Sequence, residues 1–462
     1  MSRSLSVWRL PAATARRLAP GLELRGALRA AEPDLPLHAF SRTSRPDPLA
    51  GREWWIHDVG ADPAAAPGPG VPVVVLDTGV DLAHPEFAKR PDTVALNRQQ
   101  VKGREEAHGT AVASVAAAPA NGIGVVGMYP QARLETFDYH DASLADVIAG
   151  LEKGAAGGRA VINLSGGFYN RSELLARAVE HATGRGAIVV AAVGNDRSDG
   201  SPPVFPASLP HVLTVGASDP KDRAAAFSSR SRALDLAAPG ISIPAAIPSG
   251  YTTVDGTSFS APLVAAATAW AWTERPQLDA TQVQELMRRS ARDVGPPGRD
   301  SDTGYGILDV PSALASAPPP PDSLEPNDDV YAVAPGSLFR AGIGPVTRPS
   351  RLEATLRARL DRSEDPEDVY RVWAPHGRRV TVTVEPAAGV DLALWGPRTR
   401  SVYERGTEQR RDLIAVSRHL GTSEERVVLA RHRPSAFVYV DVALSRAAAG
   451  ASYTLTVGTG PS

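Results

Sequence analysis

Three segments of the chain each place a reactive side chain at the end of an apolar run. Val73-Val74-Val75-Leu76 leads into Asp77-Thr78-Gly79, and His108-Gly109-Thr110 opens the apolar stretch Ala111 to Ala118. Gly256-Thr257-Ser258-Phe259-Ser260-Ala261-Pro262 leads into Leu263 to Thr273, a stretch almost free of charge. A serine hydroxyl is a poor nucleophile until a base takes its proton, and histidine, ionising near pH 6.5, serves as that base and later as the acid. A buried carboxylate is needed to orient the imidazole. Taken singly, each residue has an ordinary reading: an aspartate before glycine caps a turn, and a histidine at a helix start is structural. An acid, a histidine and a serine at three separate element ends point together to nucleophilic catalysis.

The elements that must position them follow from the texture of the sequence. Short β-rich runs (Val71 to Leu76, Val161 to Leu164, Ile188 to Val193, Val212 to Val215) alternate with Ala-rich helical stretches (Thr110 to Ala118, Ser172 to Thr183, Leu263 to Thr273). That alternation predicts an α/β domain with a mainly parallel sheet. Ligands of such sheets bind outside the carboxyl ends of the strands, where Asp77 falls. Pro262 is expected in the first turn of its helix, where a missing N–H costs little.

Pro318 to Pro321 with Asp322 and Ser323 form a stiff linker, residues 318–323. Beyond it, alternating runs (Val380 to Val384, Val390 to Trp395, Phe437 to Val442, Tyr453 to Val457) predict a β-sandwich over 324–462. Before Asp47 lies a separate segment, 1–46, with a helix candidate over Ala12 to Ala30 interrupted at Pro20. Residues 47–317 make up the α/β domain.

These motifs resemble the subtilisin family of serine proteases (subtilases, peptidase family S8). Asp77-Thr78-Gly79-Val80-Asp81 with His84-Pro85-Glu86 is similar to the family's aspartate motif, His108-Gly109-Thr110 to its histidine motif, and Gly256-Thr257-Ser258 with Ala261-Pro262 to its serine motif. The order Asp, His, Ser is that of subtilisin. Further likenesses are Ser165-Gly166-Gly167, Gly194-Asn195 and Gly304-Tyr305-Gly306-Ile307-Leu308-Asp309. The resemblance implies a subtilisin-like three-layer α/β fold and a serine endopeptidase with Asp77, His108 and Ser258 as triad. It makes Asn195 the side chain that donates to the oxyanion.

By the same resemblance, Ser165, Gly166 and Gly167 offer a backbone edge to an extended substrate, and Ala191, Ala192, Val193 and Gly194 wall the primary specificity pocket. Asp196 next to it is a candidate partner for a basic P1 side chain. No cofactor is expected for the chemistry. A structural calcium site is implied at Glu86 and Asn121, with carbonyls of Pro119, Ile123 and Val125, although Glu86 stands where the family's usual residue is aspartate.

The flanks carry resemblances of their own. Leu10 to Ala30 followed by Ala31-Glu32-Pro33-Asp34 resembles the latter half of a subtilase propeptide, implying that the chain's own propeptide acts as inhibitor. Glu325-Pro326-Asn327-Asp328-Asp329, Asp368 to Val372 and Asp391 to Trp395 resemble the bacterial pre-peptidase C-terminal domain, with an Arg-rich insertion between Pro397 and Pro434 that departs from its pattern. Secretion is expected from the family, although the first twenty residues lack the apolar core of roughly 7 to 15 residues that marks an export signal. The missing half-propeptide predicts a start further upstream.

Forty-nine basic against 51 acidic side chains give a net charge of −2, which calls for neither nucleic acid nor an anionic membrane. Protein or peptide substrates are the expected partners, and the chain is expected to be a monomer. No apolar run approaches the ~20 residues that span a bilayer. The absence of cysteine excludes thiol nucleophiles, disulfides and thiolate metal sites. An aspartic-protease reading of Asp77-Thr78-Gly79 would need a second carboxylate sharing a proton, and the other such triplet, Asp302-Thr303-Gly304, lies in a polar loop. A catalytically silent, peptide-binding subtilase is the other alternative, but no triad position is substituted.

Overall fold

Strand β1 (Val73–Asp77) is an unbroken aliphatic run ending in a carboxylate, and all five residues are buried. Such runs form strands covered on both faces. The structure, a computed structural model, describes residues 47–101, 107–140, 143–319, 322, 324–335, 344–362, 365–403, 407–430 and 434–461, with Thr14, Arg17, Leu18 and Pro20 as isolated positions before them. The propeptide-like segment and its helix candidate otherwise lie outside the described residues.

Six further strands join β1: β2 (Thr93–Ala95), β3 (Leu134–Asp138), β4 (Val161–Leu164), β5 (Ile188–Ala192), β6 (Val212–Ser218) and β7 (Leu236–Pro239). They form one sheet in the order β2-β3-β1-β4-β5-β6-β7, with every pairing parallel. Short α1 (Trp55–Asp58) is followed by α2 (His108–Ala117), α3 (Leu144–Gly154), α4 (Glu173–Gly184), α5 (Thr257–Glu274) and α6 (Ala280–Ser290).

The layers can be read from the pleat, because successive strand residues face opposite sides. Val73 and Val75 of β1 pack in one core with α2, α5 and α6, whereas Val74 and Leu76 pack in another with α3 and α4. The result is a three-layer α/β unit with the predicted parallel sheet in the middle. Helix α5 is buried all round, as a nearly charge-free helix must be. Hairpin β8 (Ile243–Ile247) and β9 (Gly250–Val254) precedes it.

The expectation for Pro262 needs correcting. Helix α5 begins at Thr257, so Pro262 lies inside it, not in its first turn. Without an N–H it cannot bond the carbonyl four residues back, that of Ser258. The hydroxyl of Ser165 fills the gap, donating to the Ser258 carbonyl at 2.7 Å.

After the short helices α7 (Val310–Ala315) and α8 (Val330–Val333), the remaining described chain is antiparallel β apart from one short helix, α9 (Thr407–Asp412). Strands β10 (Ala354–Asp361), β17 (Gly450–Gly460), β12 (Arg379–Pro386) and β15 (Glu425–Leu429) form one four-stranded sheet. Strands β11 (Glu367–Ala374), β16 (Ala436–Leu444), β13 (Val390–Trp395) and β14 (Leu413–Ser417) form the other. Inward side chains of the two sheets, such as Val382, Leu455, Leu392 and Val440, share one core. The Arg-rich stretch between Pro397 and Pro434 is part of this architecture and not an appendage to it, since β14 and β15 supply one edge strand to each sheet.

The β-rich part packs on the α/β part through polar contacts. His211 Nε2 lies 2.7 Å from Asp328 Oδ2, Arg359 pairs with Glu285 of α6 at 3.1 Å, and the Arg177 guanidinium sits 4.1 Å from the centre of the Tyr331 ring.

Candidate active site

The sequence order of the sheet brings the chemistry together. Strands β1, β4 and β5 are neighbours, and at their carboxyl ends lie Asp77, Ser165-Gly166-Gly167 and Val193-Gly194-Asn195. Helices α2 and α5 start at the same edge, with His108 as the first residue of α2 and Ser258 as the second of α5.

Asp77 is fully buried, and its Oδ1 accepts from the Thr78 amide at 2.8 Å and from His108 Nδ1 at 2.7 Å. The contact fixes the ring: with Nδ1–H on the carboxylate, Nε2 is left as the basic nitrogen. Burial pulls the His108 pKa down, but the Asp77 charge and hydrogen bond outweigh it and hold the value above 6.5. The His108 ring packs 5.5 Å from that of Phe259, beside Ser258.

Ser258 is half-buried at the mouth of α5. Its hydroxyl donates to the carbonyl of Ser165 at 3.0 Å and not to His108. Free enzymes often hold catalytic hydrogen bonds in such a relaxed arrangement. Ser258 N–H is one of the first-turn amides that have no intrahelical acceptor. Gly256, just before the helix, has φ 145°, and a side chain there would lie 3.5 Å from Asn195 Nδ2 and 3.7 Å from the Phe259 ring.

Asn195 is exposed, and its Oδ1 accepts from Thr257 N at 3.0 Å and Thr257 Oγ1 at 2.9 Å. Two donors on one atom settle which end of the amide is oxygen. The Nδ2 hydrogens are thereby turned away from Thr257, beside Gly256.

Among the residues expected to meet substrate, Gly166 and Gly167 reach solvent while Ser165 is buried. A side chain at Gly167 would strike Val204 and the Phe205 carbonyl, 2.5 and 2.7 Å away. Ala191 is wholly buried in the sheet and Ala192 and Val193 nearly so, leaving Gly194 and Asn195 as the accessible end of that segment. Asp196 accepts a hydrogen bond from the exposed Tyr169 hydroxyl at 3.2 Å.

Asp302 is ion-paired with Arg197 and Arg230 while Asp77 is bonded to His108, so the two Asp-Thr-Gly triplets do not form a carboxylate pair.

The loop 119–125 closes around carboxylates. Asp47 Oδ1 accepts from the amides of Asn121, Gly122 and Ile123, Glu86 Oε1 from Val125 N at 3.0 Å, and Glu53 from Val126 N. Asn121 Oδ1 accepts from Ile123 N at 2.8 Å, which turns its Nδ2 toward Glu86 Oε2 at 3.3 Å. Burial raises the Glu86 pKa to about 7 and that of Glu53 to about 8. Sequence reasoning missed Asp47 and Glu53, whose role becomes visible only when the loop folds back on them.

Comparison with known proteins gives the family. The profile of the Subtilase family, Peptidase_S8, matches residues 68–306. Subtilisin BL of Lederbergia lenta is 36% identical over 233 residues, covering 49% of this chain and 86% of that protein. Subtilisin amylosacchariticus of Bacillus subtilis subsp. amylosacchariticus is 33% identical over 254 residues, covering 53% of this chain and 66% of the relative's length. The fold is similar to that of the crystallised psychrophilic subtilisin-like protease from Pseudoalteromonas sp. AS-11, at TM-score 0.50 and 18% identity, over 57% of this chain and 97% of that one. With the family's profile on half of the sequence and its fold in the structure, the chain belongs to the subtilase family.

Proposed function

We propose that the chain is a serine endopeptidase that hydrolyses protein peptide bonds through an acyl-enzyme on Ser258. The observation that carries this reading is the 2.7 Å contact of His108 Nδ1 with the buried Asp77 carboxylate, which leaves a basic Nε2 at the sheet edge where Ser258 emerges.

In the proposed reaction the Ser258 hydroxyl rotates from the Ser165 carbonyl to His108. As Oγ attacks the scissile carbonyl carbon, Nε2 takes its proton. The negative oxygen of the tetrahedral intermediate is received by Asn195 Nδ2 and Ser258 N–H, at the positive end of α5. Collapse breaks the C–N bond, and His108 returns the proton to the leaving amine. Water, deprotonated by His108, then attacks the ester, releasing the acid and restoring Ser258. Ser165 to Gly167 present the backbone edge on which an extended substrate adds as a strand, with Gly194 opening the P1 site. None of these steps calls for a cofactor.

The calcium reading of Glu86 and Asn121 fits poorly. The two side chains satisfy each other, with the Asn121 oxygen already held by Ile123 N–H, so they do not present a pair of oxygens to an ion. We assign residues 47–317 to the catalytic domain, 318–323 to a linker and 324–462 to a domain of the pre-peptidase C-terminal type, with 1–46 as propeptide remnant and inhibitor. Secretion and a monomeric state complete the reading. Membership of the subtilase family supports it, and no described helix is long and apolar enough to cross a membrane.

Cleavage of casein by the purified chain beside Ser258→Ala tests the reading. Turnover by the parent alone supports it. Equal turnover by both overturns it, and a folded parent that binds casein without cleaving it favours the peptide-binding alternative.

A further inference from the structure

Residues 162 to 166 alternate across the sheet as β4 runs out. The Ser165 hydroxyl reaches the Ser258 carbonyl on the α5 side, so Gly166 shares the opposite face with Ile162 and Leu164, which pack in the core of α3 and α4. On that face a Cβ placed on Gly166 would meet, among the described residues, one atom within 4 Å: Tyr139 Oη, at 3.6 Å. With glycine there, no side chain stands between the phenol and the substrate edge.

Tyr139 follows β3, and its N–H donates to the Asp77 carbonyl at 2.9 Å. Its ring packs with Leu76, Val147 and Leu164, and the residue is 7% exposed. The hydroxyl has no hydrogen-bond partner among the described residues and is not sealed from solvent. Tyrosines this deeply buried ordinarily pair their O–H. Burial first, then the charges of Asp77 and Asp138, raises the pKa of the phenol, so it stays protonated and has a proton to donate.

An extended peptide laid antiparallel on residues 165–167 puts P1 opposite Ser165, whose carbonyl accepts the Ser258 hydroxyl at 3.0 Å. P2 then lies opposite Gly166. Directly opposed residues of an antiparallel pair point their side chains to the same face, so the P2 side chain is turned toward Tyr139.

We propose that Tyr139 is a specificity-determining residue, donating its hydroxyl to the P2 side chain and favouring substrates whose P2 residue carries an uncharged acceptor, glutamine or asparagine. The inference rests on the endopeptidase reading of the site. An aliphatic P2 side chain leaves the hydroxyl unpaired as substrate covers it, and the charges of Asp77 and Asp138 repel a P2 carboxylate.

Internally quenched peptides alike except at P2, which holds glutamine, its apolar near-isostere methionine or glutamate, are assayed for kcat/KM with the full chain and with Tyr139→Phe. The cleaved bond is located by mass spectrometry, and fluorophosphonate labelling of the parent is read alongside. The parent is expected to take glutamine over methionine by about fivefold, the worth of one neutral hydrogen bond, and glutamate least of the three. In Tyr139→Phe the ratio of glutamine to methionine falls to about 1. Should Tyr139→Phe fail to fold, Gly166→Ala, which sets a methyl group 3.6 Å from the hydroxyl, lowers the same ratio. A parent that is labelled and cleaves without preferring glutamine, or a preference equal in parent and Tyr139→Phe, overturns this inference alone. A folded parent that is neither labelled nor able to cleave any of the peptides overturns the endopeptidase reading and the inference with it.

Discussion

Ser165 and Ser258 exchange hydrogen bonds across 93 residues of sequence: Ser165 Oγ donates to the Ser258 carbonyl at 2.7 Å, and Ser258 Oγ donates to the Ser165 carbonyl at 3.0 Å. The first bond replaces the one that Pro262 cannot make, so the strand carrying the substrate edge also holds the nucleophile's helix turn in place. Removing the Ser165 hydroxyl in Ser165→Ala leaves the Ser258 carbonyl unpaired, at a cost of about 1–3 kcal/mol. Pro262→Ala supplies an N–H to the same carbonyl. We expect Pro262→Ala to recover part of the stability and activity lost in Ser165→Ala, and a double-mutant cycle on thermal midpoint and kcat/KM reads the coupling. Additive effects would show that the two residues do not serve the same carbonyl.

Asn195 holds its amide oxygen on Thr257, with its Nδ2 hydrogens turned toward the site. Asn195→Leu should lower kcat by roughly 10² to 10³ with little change in KM, the size measured for the like donor in subtilisin itself. A rise in KM at constant kcat would instead assign Asn195 to ground-state binding.

The pH profile follows from His108. Burial lowers its pKa, and the Asp77 charge and hydrogen bond raise it further than burial lowers it. The base must be neutral, so the acidic limb of kcat/KM should lie above pH 6.5 in the parent and move down in Asp77→Asn. A raised folded value also means that the pair's contribution to stability is fully present below pH 6.5 and is lost as pH rises through the folded value. A limb below pH 6.5 in the parent, unmoved by Asp77→Asn, would contradict this.

Glu53 is buried against Val126 N–H near Asp47 and Glu86, and burial first, then those charges, raises its pKa to about 8. Its folded form therefore binds a proton that the unfolded chain has released above about pH 4.5, and stability falls as pH climbs from there to about 8. Glu53→Gln, which keeps an acceptor for Val126 and cannot ionise, should melt higher than the parent at about pH 9 and close to it at about pH 4. Thermal melts of both proteins at the two pH values check this, and a lower midpoint for Glu53→Gln at the alkaline value would refute it.

Much of this was legible in the sequence because the chemistry sits at element ends. The apolar run Val73 to Leu76 announces both a buried strand and the place where Asp77 must emerge, and the charge-free stretch after Ser258 announces a buried helix. The start of that helix was misjudged because Thr257, Ser258 and Ser260 are polar, and apolar periodicity cannot see a turn whose polar groups are bonded to other parts of the fold. In the sandwich, Val380 to Val384 shows its alternation openly, but β14 and β15 are short, their outward positions Ile414, Val416 and Val428 are apolar too, and the charged residues crowd the segments around them, so the stretch reads as an insertion. The gathering of Asp47, Glu53 and Glu86 around loop 119–125 joins residues 39 to 76 positions apart, a relation that only the folded chain displays.

The central claim is that Ser258 is a nucleophile activated by His108. Its most direct test is labelling with a fluorophosphonate at about pH 8, read by intact mass, for the parent, Ser258→Ala and His108→Ala. The account predicts one adduct on the parent, none on Ser258→Ala and a rate slower by orders of magnitude on His108→Ala. An unlabelled but folded parent, or equal labelling of the parent and His108→Ala, would contradict it.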